Sequence, residues 1–437
     1  MGVLQAVRMN SPEPIRVSTP LRVLWLRQGG CLPLHHGGRI YSYHLIQNLM
    51  KFCHVHVLEP HVGSLSGVVD APPYGHVLER VSSEKTMPEW SPCRFLSYLW
   101  PIVRNLFASR EPLSLTLFRN EAFDRKIREV VQSGRFDVVV ADGLCNSLSF
   151  EGWEKERRIP AVLIQHTVES VMWRRVAALQ RNPVTFLFYH EMARRLRYRE
   201  PELCRLFDGV TAISEIDARH MREVYGLTQA MANVPIGASP DTQVLSSAVL
   251  TNSEPPIIAF VGGMNYQPNA DAAFWFIEKV LPIIRQTRPE VRLRVIGRDP
   301  PGALRRLAEK SEGVEVTGTV DEVLPLLREC VMLVVPLRAG SGVRLKIMES
   351  LSAALPIVST SIGAEGLSLE SGTDLLIADD APSFAQAVLR LVGDPELRRS
   401  MAQKGQQRAL ADFSWHDSAA SLTALLSSVH EKHSKTV

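Results

Sequence analysis

The chain reads as an α/β protein of two doubly wound, Rossmann-like domains that face a central cleft, and three observations predict it. Short apolar runs alternate with helical patterns from Leu21 onward. A turn-rich interval interrupts that rhythm, which then restarts. The first strand of each half runs into a loop with a Gly-Gly pair. Strands this apolar, separated by helices, belong in parallel sheets covered on both faces. At 437 residues the chain also exceeds what one hydrophobic core usually serves.

Residues 1–20 read as a disordered lead-in and 21–232 as the first domain. Leu21 to Leu26 (LRVLWL) is its opening strand, followed by a loop carrying Gly37, Gly38 and Arg39 and a helix with Leu45, Ile46, Leu49 and Met50 on one face. Val55 to Leu58, Phe136 to Ala141, Ala161 to Ile164 and Gly209 to Ile213 are further strands, the last ending at Ser214 with a helix behind it. Pro235, Gly237, Pro240, Asn252, Ser253 and paired prolines mark 233–256 as the linker. The second domain, 257–410, opens with Ile257 to Val261 and Gly262-Gly263; Pro268-Asn269 then precedes a helix bearing Phe274, Ile277, Val280 and Leu281. Its later strands are Leu293 to Ile296, Val314 to Val316, Val331 to Val335 and Pro356 to Ser359. Within 411–437, Ala411 to His430 is helical by pattern and is expected to return to the first domain.

Composition narrows the function classes. A net charge of +3 does not argue for a nucleic-acid partner. The six cysteines lie far apart with no CxxC pair, so neither a zinc site nor a disulfide framework is expected. No DxD and no His/Cys cluster appears, and no metal site is assigned. No cationic start leads into an apolar stretch of secretory type, and a cytoplasmic location is expected. Phe95 to Phe118, broken by Arg104, Arg110, Glu111 and prolines, cannot cross a bilayer of roughly 30 Å. Its Trp100, Val103, Leu106 and Phe107 suit either a core face or apposition to the inner face of an anionic membrane. Arg174, Arg175, Arg181, Arg194, Arg195, Arg197, Arg199 and Arg205 crowd one segment, which reads as an anionic contact or as a solvated face partnered by Glu191, Glu200 and Glu202.

In open parallel sheets, ligands bind beyond the carboxyl ends of the strands. The most informative motif lies there: Val335 leads through Gly340-Ser341-Gly342 into a helix with Arg344, Lys346 and Glu349 at its start. Such a loop brings N–H groups close to a phosphate, and the i, i+3 spacing of Lys346 and Glu349 sets a cation and a carboxylate on one side. An ordinary strand-to-helix turn with solvated charges has the same local pattern. Neither Gly-Gly pair forms GxGxxG, and no acidic residue stands where the ribose of NAD requires one. His166 directly follows AVLI-Gln165, with Glu169 one turn later. An imidazole there either hydrogen-bonds a sugar or is a structural residue of the strand end.

These residues together resemble a retaining glycosyltransferase of the GT-B fold, family 4, also labelled group 1. The resemblance runs from LRVLWL with Gly37-Gly38-Arg39, through Gln165-His166-Thr167-Val168-Glu169, Phe207 to Glu215 and Phe260 to Met264, to the Gly340 motif, Pro356 to Thr360 and Phe413-Ser414-Trp415. It implies a nucleotide diphosphate sugar held by the second domain and an acceptor, saccharide or lipid-linked, held mainly by the first; no further cofactor is expected. Glu349 matches the second glutamate of the EX7E motif, which receives the donor ribose. Gly318 and Val320 match the loop that meets the base, and Gly262 and Gly263 belong to the donor side. His166 matches the histidine near the donor sugar, and Gly37, Gly38, Arg39 and Glu169 fall to the acceptor side. Arg344 and Lys346 are placed to stabilise the departing diphosphate.

Two departures stand out. The first EX7E glutamate belongs eight residues before Glu349, where the chain has Ser341. The cations usual after the second Gly-Gly pair are replaced by Met264, Asn265, Tyr266 and Gln267. The resemblance implies metal-independent hexosyl transfer in cell-surface polysaccharide or glycolipid assembly. A nucleotide-sugar epimerase of the same architecture and a catalytically silent nucleotide-sugar-binding protein are the alternatives.

Overall fold

A computed structural model describes residues 20–28, 37–61, 67–69, 78–82, 111–117, 119–153, 157–238 and 254–435. Strands β1 (Arg22–Arg27), β2 (His54–His61), β3 (Gly67–Val69), β4 (Leu78–Ser82), β5 (Val138–Asp142), β6 (Ala161–Ile164), β7 (Gly209–Ala212) and β8 (Ala230–Asn233) form one sheet in the order β3-β4-β2-β1-β5-β6-β7-β8. It is parallel except where β3 runs antiparallel to β4. Strands β9 (Ile257–Val261), β10 (Arg292–Ile296), β11 (Val314–Gly318), β12 (Met332–Val335), β13 (Ile357–Ser359) and β14 (Leu376–Ile377) form a second, wholly parallel sheet, β11-β10-β9-β12-β13-β14. Both are doubly wound: the chain moves outward from β1 and from β9, then crosses back to β5 and β12 on the other side. Each switch point leaves a crevice at the carboxyl ends, where ligands bind in such sheets.

The buried strands follow the apolar runs because both faces are covered. Every residue of β5, β6 and β12 is buried. The strands that periodicity missed carry weaker signals. β8 is the half-exposed AMAN, held as a strand by pairing with β7, and it takes in Asn233, the first residue of the expected linker. β14 has two residues. Residues 239–253 of the expected linker, the lead-in 1–19, and Phe95 to Phe118 apart from 111–117 lie outside the described residues.

The helical pattern expected from Ala411 is two helices. Pro395–Asp412 ends before Phe413, whose carbonyl accepts from the Ala238 N–H at 2.9 Å; Ser414 then caps Trp415–Ser434. That second helix packs on Gly37–Leu49 and β8 of the first sheet. Val429 lies so close over Gly209 that a Cβ there would stand 3.1 Å from it.

The arginine-rich segment is mostly partnered internally. Arg194 and Arg195 share Glu191, each at 2.7 Å, and Arg199 engages Glu111, Glu151 and Glu202. Glu200, expected among their partners, instead turns inward and accepts from Gln165 and Tyr225, each at 2.6 Å. Arg174, Arg181 and Arg197 are exposed. Among the described residues no helix is long and apolar enough to cross a membrane. Cys53, Cys145, Cys204 and Cys330 are free thiols.

Candidate functional site

On the second sheet the site is built from three strand ends. After β9, Gly262 has no room for a side chain: a Cβ would stand 2.6 Å from the amide of Asn269. Asn269 is buried in the first turn of the helix Gln267–Trp275, not ahead of it as the sequence suggested. Its amide donates to the Gly263 carbonyl at 3.0 Å and its Oδ1 accepts from Lys346 at 2.9 Å. Lys346 also sits 4.9 Å above the Phe260 ring. Thus Asn269 ties the glycine turn after β9 to Lys346.

After β12 the Gly340-Ser341-Gly342 turn leads into the helix Leu345–Ser352. Gly340 has φ 130° and Gly342 φ 77°, backbone that favours glycine. At Gly342 space forbids a side chain as well, since a Cβ would lie 2.8 Å from the His166 carbonyl of the opposite domain; a Cβ on Gly340 would lie 2.4 Å from Arg344 Nη2, which would have to shift. Arg344 folds back, donating to the Ser341 carbonyl at 2.5 Å, while its Nε and Nη2 find no partner among the described residues. Buried guanidinium nitrogens without acceptors are costly, and an anion supplies them. Gly318, φ 75°, ends β11 near Arg305, and Val320 is half-buried just beyond.

Lys346 and Glu349 are half-buried and form no ion pair among the described residues. Burial pushes the Lys346 ammonium down to about 7, with Arg344 adding to the shift and Glu349 opposing it. Burial likewise pushes the Glu349 carboxyl up to about 7 against the pull of Lys346. Ser341 is buried and its carbonyl is held by Arg344, so no carboxylate occupies the position where the resemblance asks for one.

On the first sheet, His166 follows β6 and its Nε2 lies 2.5 Å from Asp142 Oδ1 at the end of β5. Asp142 Oδ2 accepts from Arg27 at 2.7 Å and from Trp25 at 2.9 Å, and Arg27 also donates to Ser42 at 2.6 Å. Burial opposes charge on Asp142, but Arg27 and His166 outweigh it and hold the carboxyl well below the ordinary range. Ser42 lies in the helix Gly37–Leu49, so this network connects that helix to His166. Gly37, Gly38 and Arg39 form its first turn and not a loop; both glycines are exposed and Arg39 is half-buried.

Glu169 opens the helix Glu169–Ala178. Its N–H and that of Ser170 donate to Glu200, each at 2.9 Å, which supplies the acceptors a helix start lacks. Burial, then the neighbouring Glu200, pushes the Glu169 carboxyl up to about 8. Sequence reasoning missed Asp142, Arg27, Asn269 and Glu200. Asp142 alone carried a local signal, standing one place beyond the apolar run FDVVVA.

The His166 carbonyl at the end of one sheet therefore meets the Gly342 turn of the other, and that turn leads into the helix start that carries Arg344, Lys346 and Glu349. Two doubly wound domains so arranged define the GT-B class of fold. A family model described as glycosyl transferases group 1 matches residues 255–394, and one described as Glycosyltransferase Family 4 matches 36–241. The chain belongs to the group 1 glycosyltransferases.

Its relatives include an uncharacterised 44.6 kDa protein in the cps region of Klebsiella pneumoniae, 28% identical over 140 residues, covering 30% of this chain and 36% of the relative. A GDP-mannose-dependent monoacylated alpha-(1-6)-phosphatidylinositol monomannoside mannosyltransferase of Corynebacterium glutamicum is 22% identical over 241 residues, covering 51% and 62%. The matches thus span from about a third to less than two thirds of these relatives' own length. Among solved structures, sucrose-phosphate synthase from Thermosynechococcus elongatus superposes with TM-score 0.68 at 15% identity, over 94% of this chain and all of that one. HepE of Anabaena, in complex with UDP and glucose, gives 0.62 at 14%, over 93% of this chain and 100% of that one. At such identities these likenesses speak for the fold.

Proposed function

We propose that the protein is a retaining, metal-independent hexosyltransferase that moves a sugar from a nucleotide diphosphate donor to a saccharide or lipid-linked acceptor. The observation that carries this reading is the pair of unpartnered Arg344 nitrogens beside the Gly340–Gly342 turn, set against His166 of the other domain. Breaking the anomeric C–O bond builds negative charge on the leaving diphosphate, and fixed cations and amides lower that barrier because they need little reorganisation. Arg344, Lys346 and the turn's amides take that charge. Glu349 receives the ribose hydroxyls, Gly318 and Val320 meet the base, and His166, oriented by Asp142, faces the sugar. No carboxylate stands at Ser341 to act as a nucleophile, which favours attack on the leaving-group face.

The mannosyltransferase relative uses GDP-mannose and the HepE structure holds UDP, so guanine and uracil donors come first in the search. A lipid-linked acceptor and contact with an anionic membrane would suit the exposed Arg174, Arg181 and Arg197. Gly37, Gly38 and Arg39, in an open helix turn, are assigned to the acceptor. The test is a thermal-shift screen of UDP-, GDP- and ADP-sugars, followed by transfer assays with and without EDTA. A donor that raises the melting temperature and is consumed with acceptor, EDTA present, supports the reading. Ser341 favours a second reading, a silent nucleotide-sugar-binding protein; binding without release of nucleoside diphosphate would select it.

A further inference from the structure

Arg175 lies on the helix Glu169–Ala178 of the first domain, yet its strongest contacts are with the second. Its Nη1 donates to the Gly340 carbonyl at 2.6 Å and to Glu365 Oε2 at 2.5 Å, and its Nη2 donates to Glu365 Oε1 at 2.8 Å. This is a two-pronged ion pair across the cleft, between side chains that are only about a quarter exposed. The seam around it is tight. A Cβ on Gly366, next to Glu365, would stand 2.9 Å from Ser214 Cβ, and one on Gly342 would meet the His166 carbonyl.

The consequence for the turn follows from peptide geometry. The only cis bond among the described residues is Glu254–Pro255, so the Gly340–Ser341 peptide is trans and its C=O and N–H point in opposite directions. With the carbonyl drawn to Arg175, the Ser341 N–H points away from the first domain's helix. Arg344 does the same to the next peptide, holding the Ser341 carbonyl and turning the Gly342 N–H outward. Neither N–H donates to a backbone carbonyl among the described residues. Two adjacent N–H groups free of backbone partners are the kind of donors that bind an anion.

We propose that Arg175, anchored by Glu365, is a positioning residue for the anion-binding turn: it turns the Ser341 amide toward the diphosphate only when the two domains are together. This rests on the donor-site reading above. It makes part of the donor site conditional on the acceptor domain, so that diphosphate affinity and domain closure are coupled. Glu365 supports that arrangement because it fixes the guanidinium with two bonds while Nη1 also donates to the Gly340 carbonyl.

The experiment measures binding of UDP, GDP and ADP, and of the matching monophosphates, to wild type, Arg175→Ala, Glu365→Gln and the exchange Arg175→Glu/Glu365→Arg. Melting curves and small-angle scattering accompany each. In Arg175→Ala the affinity for the preferred diphosphate is expected to fall about tenfold, with the monophosphate changed less than threefold. Glu365→Gln is expected to show a smaller loss, since Arg175 keeps its carbonyl contact. The exchange restores the cross-cleft ion pair and the melting temperature but not the diphosphate preference, because a glutamate cannot donate to the Gly340 carbonyl. Wild-type affinity in Arg175→Ala, or recovery of the preference in the exchange variant, would overturn the proposal while leaving the donor site standing. Failure of wild type itself to prefer any diphosphate over its monophosphate would overturn the donor-site reading and the proposal with it.

Discussion

Replacing Lys346 with methionine separates a charge effect from a packing effect, since the side chain keeps most of its length and loses its ammonium. One bond of that ammonium goes to Asn269 at 2.9 Å, leaving others for a phosphate oxygen at a similar distance, with the phosphorus at roughly 4 Å. At that separation and an effective dielectric of about 20, a unit charge pair is worth about 4 kcal/mol. If half of the charge that develops on the leaving diphosphate lies within reach of Lys346, the transition state loses about 2 kcal/mol, or about thirtyfold in kcat. Folding is affected in the opposite sense. The folded state holds the lysine proton more weakly than the unfolded chain, about 7 against 10.5. Stability therefore rises with pH between those values, and below about 7 the buried charge is a standing cost that methionine removes. Lys346→Met should melt no lower than wild type at pH 7 while its turnover falls about thirtyfold. The share of donor affinity that Lys346 supplies, read as the difference between wild type and variant, should shrink as pH rises through about 7. Assays of initial rate, isothermal titration and thermal melts across pH 6–9 measure all three. Wild-type turnover in Lys346→Met would refute the reasoning, as would a loss matched by a lower melting temperature.

Glu349→Gln should raise the donor KM about tenfold or more, as expected for hydrogen bonds from ribose to a charged group, with steady-state kinetics as the check. The wild-type carboxyl titrates near 7, so the defect should be largest above that pH and shrink below it. Asp142→Asn removes the carboxylate from buried Arg27 and should cost about 3–5 kcal/mol of stability by denaturant titration. The native carboxyl lies below its ordinary value, so this stabilisation is present at neutral pH and is lost only in strong acid. Gly342→Ala places a methyl group 2.8 Å from the His166 carbonyl at a φ of 77°, and should cut transfer sharply because the domains can no longer meet at that point.

The parts of the fold legible in the sequence are those decided by local chemistry. AVLI and IIAFV match β6 and β9 residue for residue, because a strand buried on both faces needs an unbroken apolar run. The Gly340 motif was readable because its glycines, cations and carboxylate are contiguous. β8 was not, because AMAN owes its extension to β7 and not to its own composition. The contacts that complete the site join residues far apart in sequence: Asn269 with Lys346, Asp142 with Arg27, Arg175 with Glu365. The first two need one sheet assembled and the third needs both domains together, and spacing along one chain carries no trace of any of them. The same distance explains why Glu200 was grouped with surface arginines when its partners lie in two other elements.

The central claim, that the two domains meet in one site that transfers sugar from a nucleotide diphosphate donor, is tested most directly by a single-turnover reaction. The donor that gives the largest thermal shift is mixed with excess enzyme and a panel of saccharide and lipid-linked acceptors. Nucleoside diphosphate release and the anomeric configuration of the product, by NMR, are read together. One equivalent of nucleoside diphosphate per glycosidic bond formed, only with acceptor present, and retention at the anomeric carbon are expected. Donor binding with no release for any acceptor, conversion of the donor sugar without acceptor, or an inverted product would contradict that claim.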